Sequence, residues 1–110
     1  MNEKDLVSKL LDEHKAYDIN VYEVSDITPF ASYYVVASCL NLRALGAMAE
    51  ILEDELLKAG VVDIKKDGKP ESGWMVIATG EVMVQLFLDA QRREYRLEEL
   101  LQKQLGTGQA

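Results

Sequence analysis

Tyr33-Tyr34-Val35-Val36-Ala37-Ser38-Cys39-Leu40-Asn41-Leu42 decides the fold class, because it passes from a strand signal to a helix start within a few residues. The run from Tyr33 to Ala37 is aromatic and β-branched with no polar alternation, the pattern of a strand buried on both faces. Asn41 offers a side-chain acceptor to the free amides of a helical first turn. Beyond it, leucines at 42, 45, 52 and 56 fall on one stripe with Ala49, while Glu50, Glu53 and Asp54 take other faces. This predicts the longest helix from Asn41 to Ala59, stopped by Gly60. A strand buried on both sides, followed at once by an amphipathic helix, points to an α/β protein.

Towards the N-terminus, Leu6, Val7, Leu10 and Leu11 recur at helical spacing, which predicts an amphipathic helix over Glu3–His14. Asp18 to Val24 reads as a first strand, and Asp26, Thr28 and Pro29 punctuate the chain before Tyr33. Towards the C-terminus, Val61-Val62-Asp63-Ile64 reads as a third strand. Lys65 to Gly73, with Asp67-Gly68 and Pro70, reads as a mobile basic loop. Trp74–Ala78 and Val82–Phe87 flank Thr79-Gly80-Glu81 at the spacing of a tight hairpin. Asp89 is placed to cap a final helix reaching about Gln104. The expected order is therefore α, β, β, α, β, β, β, α. It gives a mixed sheet of about five strands backed by helices, in one domain over residues 1–105 with a flexible tail at 106–110.

A formal net charge of -7 opposes general binding to a phosphate backbone and favours a basic protein surface as partner. No stretch nears the roughly 20 apolar residues of a bilayer span, and the charged N-terminus lacks a signal-peptide core. One cysteine and one histidine leave no Cys/His cluster for structural zinc. The chain reads as cytosolic, with no metal, no cofactor and no membrane partner.

Few residues suggest catalysis. Gly68-Lys69-Pro70 is the nearest approach to a phosphate loop, but its proline removes a backbone donor and no Ser or Thr follows the lysine. Cys39 sits between a strand and a helix start, where amide dipoles activate thiols, yet the sole histidine is far away in sequence and Arg43 is the one nearby cation. It reads as a small buried side chain. His14 reads as a surface residue at a helix end, and Glu50, Glu53, Asp54 and Glu55 as a solvated helical face. Trp74 closes a polar loop and opens a strand, where an indole either anchors an interface or folds over the sheet edge.

In order and spacing these segments resemble the ribosomal silencing factor, or Iojap, family over about residues 16–101. The resemblance rests on Ala16-Tyr17-Asp18-Ile19 and on Asp26-Ile27-Thr28-Pro29-Phe30-Ala31-Ser32-Tyr33-Tyr34-Val35-Val36-Ala37-Ser38. It continues through Arg43, then Glu71, Trp74, Gly80, Val82, Val84 and Phe87, and ends with Arg92, Tyr95, Leu97, Glu98 and Leu100. Ala78 and Gln85 stand where the family hairpin carries its first aspartate and its histidine, and Cys39, Asn41, Ala44 and Leu101 replace its usual Gly, Ser, Gln and Trp.

The resemblance implies a mixed α/β fold related to nucleotidyltransferases but without their catalytic residues. It also implies docking on a large-subunit ribosomal protein, expected to be uL-fourteen, at the face where subunits join. Translation would fall as a result, and large-subunit maturation would also be touched. The partner-binding set expected on this reading is Trp74, Val76, Glu81, Val84 and Gln85, with Arg92 and Tyr95 bracing the hairpin on the last helix. No sequence-specific nucleic-acid contact is expected. Two other classes stay open at this point: a homodimeric regulatory module paired through a sheet edge, and a degenerate nucleotidyltransferase-like enzyme.

Overall fold

Asn2 opens the first helix, α1 (Glu3–Glu13), by accepting the Asp5 N–H at 2.8 Å, and Val7, Leu10 and Leu11 form its buried stripe. The computed structural model describes residues 2–106, with the side chains of 105 and 106 excepted. The expected tail therefore lies outside the described residues from position 107 onward. After α1 come β1 (Tyr17–Glu23) and β2 (Tyr33–Cys39), then α2 (Leu42–Lys58). Asn41 caps α2 as its side chain predicts, accepting the Ala44 N–H at 2.8 Å. β3 (Lys65–Lys69), a 3-10 turn at Pro70–Ser72, β4 (Trp74–Ala78), β5 (Val82–Leu88), α3 (Asp89–Tyr95) and α4 (Leu97–Gly106) complete the chain.

The five strands form one mixed sheet in the order β1-β2-β5-β4-β3. β2 and β5 run parallel at its centre and the other pairs are antiparallel. This is the expected mixed α/β architecture. Strand alternation gives the sheet two unlike faces. Val35, Ala37 and Cys39 of β2, Met75 and Ile77 of β4, and Val82, Val84 and Leu86 of β5 face α1 and α2. There they meet Leu45, Met48, Ala49, Leu52 and Leu56 in the main core. Burying each of the Val, Leu, Ile and Met side chains among them contributes about 1.5–3 kcal/mol, so this layer dominates stability. On the opposite face a smaller cluster joins Val24, Ala31 and Leu101, with Tyr22, Tyr34, Met83 and Leu97 packed against it.

Two expectations are corrected. Val61–Ile64 is not a strand: Asp63 turns the backbone at φ 59, and the strand forms instead over Lys65–Lys69, in the segment expected to be a mobile loop. Nothing apolar drives β3. It forms because β4 offers it a hydrogen-bonding edge, in a register that sets Lys65 against Ala78, Asp67 against Val76 and Lys69 against Trp74. Gly68 makes that pairing possible, since a Cβ there would lie 2.6 Å from the Trp74 carbonyl oxygen and its φ is +89.

The single final helix is also corrected. Arg96 is left-handed at φ 53, which splits the segment into α3 and α4. A non-glycine residue there costs roughly 1–2 kcal/mol, which burial of Leu101 offsets at about 1.5–3 kcal/mol. Asp89 falls in the first turn of α3; the capping position is Leu88, with no side-chain cap.

Candidate functional site

The sheet face turned away from α1 and α2 carries most of the residues singled out in the sequence. Trp74, Val76 and Ala78 of β4 project there, each half-buried, and Met83, Gln85 and Phe87 of β5 stand opposite them in register. The Trp74 ring lies on Phe87, with centroids 5.2 Å apart and planes 20° from parallel, and Tyr95 of α3 closes on it at 4.9 Å. Its Nε1 donates to Gln85 Oε1 at 2.7 Å. The indole is thus held by two rings and one hydrogen bond, with part of its surface left to solvent. Tyr95 is 48% exposed, so the stack ends in an accessible aromatic edge.

This geometry sorts the expected partner-binding set. Trp74, Val76 and Gln85 share one face, but Gln85 is only 4% exposed and serves Trp74. Val84 is corrected: it points to the helical layer with no exposure and offers a partner nothing. β-strand alternation is the reason, because Val84 and Gln85 are neighbours in sequence and must face opposite ways. Glu81 lies at the far end of the hairpin, where its carbonyl accepts the N–H groups of Ser32 and Tyr33 at 2.8 and 3.1 Å.

Arg92 was expected to brace the hairpin; it braces β2 and α4 instead. Its Nη1 donates to Ser38 Oγ at 2.8 Å and its Nε to Glu98 Oε1 at 2.6 Å. Glu98 Oε2 in turn accepts from Tyr22 Oη at 2.6 Å and Asn20 Nδ2 at 2.8 Å. One carboxylate therefore ties α3, α4 and β1 together, and through Arg92 it reaches β2. Burial pushes the Glu98 carboxyl up, but hydrogen bonds from Arg92, Tyr22 and Asn20 outweigh it and hold the group below the usual carboxylate range. The Tyr22 hydroxyl is pushed up to about 12, by burial first and by its bond to Glu98 second. The sequence concealed this hub because residues six apart, Arg92 and Glu98, do not share a helical face. Only the left-handed break at Arg96 brings them together.

Elsewhere the chemistry is sparse. Cys39 is 2% exposed, and burial pushes its thiol up to about 11, the opposite of an activated nucleophile. His14, distant from it in sequence, lines the same pocket of about 240 Å³, together with Ala44 and Met48, but no hydrogen bond joins the two. The acidic face of α2 is spread as expected, with Glu53 reaching Lys66 and Glu55 reaching Lys58, both at 3.3 Å. Among the described residues no group of three or more His, Cys, Asp or Glu side chains could hold a metal ion. None of the described helices is long and apolar enough to cross a membrane. An open groove of about 730 Å³ beside the Glu98 hub is lined by Asp18, Asp89 and Glu99 as well as Arg93 and Arg96, so its charges are mixed in sign.

Comparison with known proteins matches residues 2–109 to a family described as ribosomal silencing factor during starvation. The ribosomal silencing factor RsfS of Zymomonas mobilis is 30% identical over 95 residues, covering 86% of this chain and 71% of that protein. Its namesake in Bacillus subtilis is 26% identical over 103 residues, covering 91% and 87%. A crystal structure of a Chromobacterium violaceum protein superposes with a TM-score of 0.84 at 29% identity, covering 90% of this chain and 82% of that one.

Proposed function

The chain belongs to the ribosomal silencing factor family, whose name ties it to regulation at the ribosome, and from that premise we propose that it represses translation by occupying the large subunit. In this reading one domain, residues 1–105, docks in the cytoplasm on a large-subunit ribosomal protein, uL-fourteen. It thereby denies the small subunit its joining surface, and it also assists large-subunit maturation. The observation that carries the reading is the family match across residues 2–109. The geometry supports a docking role over a catalytic one. Tyr95 and the open side of Trp74 give an aromatic anchor, Val76 and Ala78 continue it along β4, and aromatic side chains supply much of the energy at protein interfaces. The net charge of -7 favours a basic ribosomal protein as the docking partner and speeds its encounter.

Cosedimentation tests this. The protein should travel with free large subunits and be depleted from assembled ribosomes, since one surface cannot hold two partners. Equal amounts in the two fractions would refute the blocking mechanism.

A further inference from the structure

β3 reads Lys65-Lys66-Asp67-Gly68-Lys69, and all five residues are exposed at the margin of the sheet. Three of the chain's 12 Lys and Arg residues thus fall on one five-residue strand of a protein whose net charge is -7. Their orientations differ. Lys66 turns towards α2, where its Nζ lies 3.3 Å from Glu53 Oε1. Lys65 and Lys69 stand on the other face, in register with Ala78 and Trp74, and neither is in an ion pair among the described residues. Asp67 between them turns a carboxylate oxygen back to the Gly68 N–H at 2.8 Å. Two ammonium groups therefore border the β4 face, Lys69 beside Trp74 and Lys65 beside Ala78, four residues apart along a strand, or about 13 Å.

A strongly acidic chain that docks on a ribosome is repelled by the RNA around its protein partner. The margin of its docking face that meets RNA needs the opposite sign. We propose that Lys65 and Lys69 form an RNA phosphate-binding edge beside the protein-docking face, one that gives affinity and orientation without reading sequence. This rests on the functional reading above. It is a local exception to the acidic surface, and lysine suits it as a flexible point charge with three donors. Edge-strand lysines also discourage pairing with a second strand, a use that requires nothing of the ribosome.

The test is the affinity of Lys65→Ala/Lys69→Ala for purified large subunits across a salt series. Lys65→Arg/Lys69→Arg serves as the charge-preserving control, and urea unfolding checks that each variant is folded. Two lost phosphate contacts should weaken binding on the order of tenfold at physiological salt and flatten the log–log salt slope by about 1.5, while the arginine pair binds like wild type. A photo-reactive residue at Asp67 should label ribosomal RNA. Unchanged or tighter binding by the alanine pair, or label found in ribosomal protein, overturns the phosphate edge and leaves the functional reading intact. Wild-type protein that does not bind large subunits overturns both.

Discussion

Replacing Trp74 with alanine should cost both folding and docking, and the two costs can be worked separately. On the folding side the ring contributes two aromatic contacts, at 5.2 Å to Phe87 and 4.9 Å to Tyr95. Such pairs are worth about 0.5–1.5 kcal/mol each beyond the area they bury. Truncation also strips the donor from Gln85 Oε1, an atom of a side chain only 4% exposed, and an orphaned buried acceptor costs about 1–3 kcal/mol. A fully buried tryptophan loses about 3–5 kcal/mol on truncation, and this one is half-buried, so about 3 kcal/mol is expected. A domain of this size has roughly 5–15 kcal/mol to lose, so the variant stays folded at 25 °C and its docking can be measured. There the loss should reach at least about 2 kcal/mol, near thirtyfold in affinity for large subunits.

Urea unfolding and large-subunit binding on the same protein give both numbers. Trp74→Phe should retain the stacking, lose the hydrogen bond and fall by about 1–2 kcal/mol. Adding Gln85→Leu should recover part of that, because removing both partners of a buried hydrogen bond is nearly neutral. A loss of stability below about 1 kcal/mol for the alanine variant would refute the stacking argument. Wild-type affinity in the folded variant would remove Trp74 from the docking surface.

Glu98→Ala should cost about 2–3 kcal/mol by urea unfolding, since it leaves Arg92, with a side chain 12% exposed, without its counter-charge; a loss under about 0.5 kcal/mol would count against the hub. The folded carboxyl lies below its unfolded value, so its contribution is complete above about pH 4.3 and fades as pH falls through the folded value. Glu98→Ala should flatten the acid limb of the stability profile. Tyr22 acts in the other direction: its folded value is raised from 10.0 to about 12, so stability should fall between those pH values, and less so in Tyr22→Phe. Gly68→Ala should destabilise by more than about 1 kcal/mol, because the added methyl meets the Trp74 carbonyl and the φ is left-handed; a neutral result in thermal unfolding would mean that β3 shifts freely.

Features that depend on local periodicity and caps could be read from the chain before any packing was known. The stripe in α2, its Asn41 cap, the doubly buried β2 and the β4–β5 hairpin were all legible, because a period of two or 3.6 and a capping oxygen act over a few residues. The family resemblance was legible for the same reason, as an ordered series of such segments. Tertiary structure alone decided the rest. β3 carries no strand signal, and exists because β4 presents unpaired backbone groups to it. The break at Arg96 has no glycine or proline to announce it; it follows from burying Leu101 across the sheet and pairing Arg92 with Glu98. The partition of the hairpin into a docking face and a core face was implicit in strand alternation. Which face the helices would cover was not, so Val84 joined the core while Trp74 and Val76 kept their surface. Long-range pairing sets these features, and neighbours in space that are far apart in sequence leave no periodic mark on the chain.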